Sequence, residues 1–148
     1  MSKAKSKTAK TANNVADQRP LTPRELARFR RLLEAARWQL RRDVNSMQGT
    51  VRSKDPREAC GNLSNLPMHM ADVAGDSYEL EVTVGLMENG QTLLREINEA
   101  LERLDNGTYG VCLGTGKPIG RARLRARPWT KYCVQYAEEL ERLQGLGQ

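Results

Sequence analysis

The sequence predicts a mainly α-helical chain: a long antiparallel coiled-coil hairpin, a small turn-rich module and a short C-terminal helix. Two apolar stripes of matched length recur at steps of three and four residues, one on a basic stretch and one on an acidic stretch. Only 5% of the 148 residues are aromatic while 28% are charged, which suits two-sided helices better than a β-sandwich. After the second stripe the sequence turns rich in Gly and Pro, so the helical pattern stops there.

The first helix has a defined start. Thr22 can cap it, Pro23 fits the first helical position, and Glu25 completes a T-x-x-E capping box. Leu21 and Leu26 are placed as a hydrophobic staple. Leu26, Phe29, Leu33, Ala36, Leu40, Val44, Met47 and Val51 then form one stripe that ends near Ser53 or Lys54, before Pro56. At 1.5 Å per residue this helix is about 46 Å long.

The second stripe runs through Leu80, Val84, Met87, Leu94, Ile97, Leu101 and Leu104. Asp76 or Ser77 marks its start and Asn106-Gly107 its stop, giving a helix of about 44 Å. The connection over residues 55–75 is far longer than most helix–helix loops and is expected to cap the hairpin. Two readings of its acids stand: Asp72 and Asp76 sit together at the tip, or Asp76 merely caps the second helix while Asp72 is solvated.

The net charge of +6 is a residue of opposed blocks. Residues 1–19 carry +4 and no apolar period, so they read as a disordered basic tail. The stretch 23–55 carries +5, 72–105 carries −7, and 117–131 carries six basic side chains with no acid. The opposed charges of the two helices are expected to pair across the hairpin. Domain bounds follow: tail 1–19, hairpin 20–106 with its tip at about 55–76, and module 107–148.

The module opens Thr108-Tyr109-Gly110-Val111-Cys112-Leu113-Gly114-Thr115-Gly116-Lys117-Pro118-Ile119 and continues to Tyr132-Cys133-Val134-Gln135-Tyr136. Its turns and short Ile and Leu strands look like a zinc ribbon, whose signature is a pair of C-x-x-C motifs. Here Thr115 and Tyr136 stand at the second and fourth ligand positions beside Cys112 and Cys133, so no metal site and no cofactor is expected. Cys60 and His69 lie at the other end of the hairpin, about 40 Å away. Tyr109, Ile119, Leu124, Trp129, Tyr132 and Tyr136 are the expected core, with Val134, Leu140 and Leu143 from the last helix. Cys112 and Cys133 are expected to be two buried thiols in a reducing compartment, able to pair under oxidation.

Several function classes are excluded. No stretch of about 18 apolar residues exists to span a membrane, and no apolar run follows the basic N-terminus as in a secretory signal. The odd count of three cysteines points to the cytoplasm. No phosphate loop and no nucleophile–base constellation supports an enzyme. Arg121, Arg123, Arg125, Arg127 and Lys131 are the candidate basic contact, since alternation on a strand would align the arginines as a phosphate-binding stripe. The competing account is a solvated face meeting the acidic helices. No aromatics interleave these arginines, which disfavours single-strand binding by stacking.

The string from Gly107 through Cys112 and Gly116-Lys117-Pro118-Ile119, then Arg123-Leu124, Ala126, Pro128 and Tyr132-Cys133, resembles the DksA/TraR family of bacterial transcription factors. Leu66-Pro67 through Asp72 and Asp76, followed by Glu79 and Glu81, resembles that family's acidic tip and returning helix. The resemblance implies a protein that binds bacterial RNA polymerase in preference to DNA, inserting the hairpin into the secondary channel with Asp72 and Asp76 at its tip. It also implies action together with the alarmone ppGpp at the polymerase interface. This sequence departs from the family's D-x-x-D-x-A tip, having Asp72-x-x-x-Asp76 with Tyr78 two residues later. Its C-x-x-T and C-x-x-Y pattern resembles the zinc-independent members.

Overall fold

The computed structural model describes residues 19–53 and 70–146, with side chains described from Gly75 onward in the second segment. The expected tail (apart from Arg19), Cys60, His69 and the connection up to residue 69 lie outside the described residues. Four helices follow in order: α1 (Pro23–Ser53), α2 (Met70–Asp105), α3 (Arg121–Ala126) and α4 (Val134–Gly145). Two compact units divide the chain: residues up to Glu34 with those from Glu96, and Ala35–Arg95.

The capping box forms as its spacing predicts. The Glu25 backbone N–H donates to Thr22 Oγ1 at 3.3 Å, and the Thr22 N–H donates back to Glu25 Oε2 at 2.8 Å. Every residue of the first apolar stripe is buried or half-buried, with Phe29, Leu33 and Val44 innermost. Burying a side chain such as Leu33 contributes about 1.5–3 kcal/mol. The second stripe is likewise covered, and Ile97, Ala100 and Leu101 are fully within the core.

In the Ala35–Arg95 unit the helices meet at Gly90. A Cβ on Gly90 would lie 2.7 Å from Val44 Cγ2 and 3.7 Å from Leu40 Cδ1, so only the missing side chain allows this approach. Toward the other end, Arg30 Nη2 meets Asp105 Oδ1 at 2.7 Å. Position 44 thus faces 90 and position 30 faces 105, so the two helices run antiparallel as a hairpin.

Three expectations are corrected here. First, α2 starts at Met70, not at Asp76 or Ser77, so it has 36 residues and Asp76 does not cap it. Ala71 and Ala74 are strong helix formers, and Gly75 costs only about 1 kcal/mol, which the rest of a long helix offsets. Second, the opposed helix charges do not pair broadly: Arg24, Arg28, Arg31, Arg37, Arg41 and Arg42 have no carboxylate partner among the described residues. These side chains lie off the apolar stripe that faces α2, and Arg42 stacks instead on Trp38, 4.7 Å from its ring centre. Third, the short strands expected in the module reduce, among the described residues, to one bridge between Val111 and Pro118.

Gly107, at φ 71°, stops α2, and the Thr108 N–H then donates to Arg103 O at 2.9 Å. Tyr109, Cys112, Ile119 and Leu124 form the module core, with Trp129, Tyr132, Tyr136 and Leu140 half-buried. Val134 and Leu143, expected in that core, are 47% and 58% exposed. Val134 lies off the inward face of α4, and Leu143 lies beyond the half-buried stretch from Tyr136 to Leu140.

Candidate functional site

The acidic tip candidates are carried by helix. Asp72 falls in the first turn of α2, where an acid suits the positive end of the helix dipole, and only its backbone is described. Asp76 follows four residues, or about 6 Å, later and is exposed, as are Glu79 and Glu81. Tyr78, between them, is 70% exposed. One helix therefore presents a run of acids with an aromatic ring among them, on backbone that needs no loop to order it.

The unit that contains the module is clasped by three side chains from separate elements. The Arg121 guanidinium donates from Nε to Glu25 Oε1 at 2.8 Å and from Nη2 to Glu25 Oε2 at 3.2 Å. That fork, with the Thr22 N–H, lowers the Glu25 carboxyl from 4.5 to about 2. Arg103, only 8% exposed, donates from Nη1 to the Thr130 carbonyl and from Nη2 to the Trp129 carbonyl, each at 3.1 Å. Burial lowers its pKa, and Tyr109 and Glu99 oppose that shift. The Tyr109 hydroxyl donates to Pro128 O at 2.6 Å while its ring lies 5.7 Å from Phe29, and burial raises its pKa.

The four positions of the degenerate metal signature do come together. The Cys133 N–H donates to Cys112 Sγ at 3.3 Å, and Thr115 Oγ1 lies 3.8 Å from Cys133 Sγ. Tyr136 packs its ring on Gly114, where a Cβ would lie 2.3 Å from ring atoms, and stands 5.1 Å from the Tyr132 ring. Burial pushes the Cys112 thiol up, but donation from the Thr115 hydroxyl and from the Cys133, Thr115 and Gly114 N–H groups outweighs it, bringing Cys112 to about 6. Cys112 and Cys133 are free thiols, the first buried and the second half-buried. A tetrahedral zinc ion needs four donors, and two thiolates with a neutral Thr hydroxyl and a Tyr ring packed on backbone do not fit it.

The arginine cluster is not the predicted strand. Arg121–Ala126 is helical because Leu124 buries completely and its N–H donates to Gly120 O at 3.0 Å. Helical turns scatter the alternating arginines around the axis, and most are engaged. Arg121 holds Glu25, Arg123 Nε donates to Tyr132 O at 2.8 Å, and Lys131 pairs with Glu99. Arg125 reaches back to Arg121 O at 3.4 Å. Arg123, Arg127 and Lys131 also line a shallow hollow of about 290 Å³ with Glu96, Trp129 and Leu140. The capping role of Glu25 is legible in the sequence, whereas its pairing with Arg121 and the hold of Arg103 on two carbonyls are not; the one hint is a pair of arginines, Arg95 and Arg103, in an otherwise acidic helix.

Among the described residues no helix is long and apolar enough to cross a membrane. Residues 107–142 match the family described as the prokaryotic dksA/traR C4-type zinc finger. The chain is 32% identical over 110 residues to the RNA polymerase-binding transcription factor DksA of Escherichia coli, covering 74% of this chain and 67% of that protein. It is 37% identical over 95 residues to an uncharacterized protein of Aquifex aeolicus, covering 64% and 66% respectively. With the Caulobacter vibrioides factor of the same name as the Escherichia coli one it shares 37% identity over 73 residues, spanning 49% of this chain and about half (51%) of that relative. The solved structure of transcription factor DksA2 from Pseudomonas aeruginosa superposes with a TM-score of 0.65 at 33% identity, over 80% of this chain and 84% of that one. On sequence and fold together, this chain belongs to the DksA/TraR family.

Proposed function

We propose that this chain is a bacterial transcription regulator that binds RNA polymerase and places the acidic start of α2 in the secondary channel. It acts in the cytoplasm and without catalysis of its own. The observation that carries the reading is the helical placement of Asp72 and Asp76, one turn apart and followed by exposed Glu79 and Glu81. A carboxylate brought near a catalytic cation is a strong electrostatic perturbation, and a helix delivers it without the ordering cost of a loop. The spacing of the two acids differs from the family's usual tip, so the α2 register decides which carboxylate approaches the metal. The names of the relatives, which describe RNA polymerase-binding factors, support the choice of partner.

The test is co-migration of the full chain with bacterial RNA polymerase core, paired with transcription from a promoter that forms short-lived open complexes. The expected result is binding by both wild type and D72N/D76N, with the effect on transcription lost only in the variant. Absence of polymerase binding by the wild type overturns the reading. Titration of ppGpp into the same assay checks the expected cooperation at the interface.

A further inference from the structure

The sequence places the candidate phosphate contact at Arg121, Arg123, Arg125, Arg127 and Lys131 and expects the basic charge of α1 to be paired with α2. The structure differs on both points. The cluster is largely committed within its own unit, while the outer face of α1 is not. Arg24, Arg28 and Arg31 fall at i, i+4 and i+7, so they share one helix face over about 10 Å. All three are exposed and have no carboxylate partner among the described residues. With Ala27 and Leu32 they line an open hollow of about 430 Å³.

We propose that Arg24, Arg28 and Arg31 form a phosphate-binding face for duplex DNA. An acidic protein partner fits this face less well. Protein interfaces draw their energy from a central apolar or aromatic anchor, and the lining of this hollow supplies only Ala27 and a Leu32 that is 42% exposed. A phosphate backbone requires no such anchor, because its affinity comes from counterion release at each neutralised phosphate. Between Arg24 and Arg31 the aromatic residue is Phe29, which is buried toward the core and cannot stack on a base, so the hollow itself favours duplex over single-stranded nucleic acid. The proposal is independent of polymerase binding.

The experiment uses the full chain and a fluorescent duplex of about 30 base pairs, with affinity followed by anisotropy from about 50 to about 200 mM salt. Residues 1–19 also carry five basic side chains, so the readout is the change between wild type and R24Q/R28Q/R31Q, which share that tail. The slope of log K against log salt is expected to fall by about 2.7 in the triple variant, and affinity at intermediate salt by tenfold or more. Circular dichroism of the variant should match the wild type, since all three sites are exposed helix positions and Gln is a good helix former. No wild-type binding at the lowest salt overturns the proposal, as does an unchanged slope in the triple variant. Loss in R125Q/R127Q with the α1 variant unaffected returns the contact to the C-terminal cluster and also overturns it. A triple variant that keeps its DNA affinity and loses polymerase binding shows that the face docks an acidic protein instead.

Discussion

Arg121 and Glu25 stand 96 positions apart in sequence, yet the guanidinium of one forks onto the carboxylate of the other at 2.8 and 3.2 Å. The same carboxylate closes the capping box at the start of α1, so one side chain both starts a helix and fastens α3 to it. Glu25 sits near 2 in the folded protein, below its ordinary 4.5, because Arg121 and the Thr22 N–H hold the charged form. Its contribution to stability is therefore complete above the unfolded value and is lost as pH falls from about 4.5 toward 2. An E25Q variant is expected to be less stable at neutral pH by about 1 kcal/mol, the scale of a partly exposed pair. Its thermal midpoint should also fall less steeply over that acid range, which melting curves against pH will show.

Arg103 offers a second and larger effect. Its two terminal nitrogens satisfy the Trp129 and Thr130 carbonyls from a position that is 8% exposed. Replacing it with Met keeps the stem and strips both bonds, leaving carbonyls short of donors, at a cost of about 2–3 kcal/mol. R103K keeps the charge without the fork and should fall between wild type and R103M in denaturant titration.

Gly90 gives a test in which helix propensity and packing oppose each other. Ala is favoured over Gly in a helix interior by about 1 kcal/mol. At position 90, however, its Cβ would lie 2.7 Å from Val44 Cγ2. G90A is expected to lower stability despite its propensity, and G90V to lower it further. V44A should cost less in the G90A background than in the wild type, and a double-mutant cycle measures that coupling.

The module is expected to be indifferent to metal removal. A chelator should leave the melting temperature of the wild type unchanged, because Thr115 and Tyr136 supply no thiolate beside Cys112 and Cys133. T115C/Y136C rebuilds four cysteine positions; it should bind one zinc per chain by mass spectrometry and become chelator-sensitive. T115V, which removes the hydroxyl 3.8 Å from Cys133 Sγ in the same thiol cluster, should raise the Cys112 thiol above about 6, as read from ultraviolet thiolate absorbance against pH.

Much of the architecture was written in local patterns. The T-x-x-E box and the i, i+3, i+4 stripe placed α1 at Pro23–Ser53 because capping and amphipathicity are properties of neighbours in sequence. Asn106-Gly107 marked the end of α2 for the same reason. The start of α2 was not legible, since a loop with apolar residues and a helix with a Gly in its first turns read alike. Arg-Ala-Arg-Leu-Arg-Ala-Arg has the alternation of a strand, and only the burial of Leu124 made it a helix.

By itself the sequence determined two antiparallel helices, a turn-rich module with two of four thiolates, and a chain of opposed charges. Tertiary structure alone decided which charges meet. Arg121 finds Glu25, Arg103 finds two carbonyls, Lys131 finds Glu99, Arg30 finds Asp105, and Arg24, Arg28 and Arg31 find no carboxylate among the described residues. The reason is physical. Periodicity fixes which residues leave water, because burial follows the face of a helix. A charged side chain has no such period to obey, and its partner depends on which backbone the fold brings within about 3 Å of it.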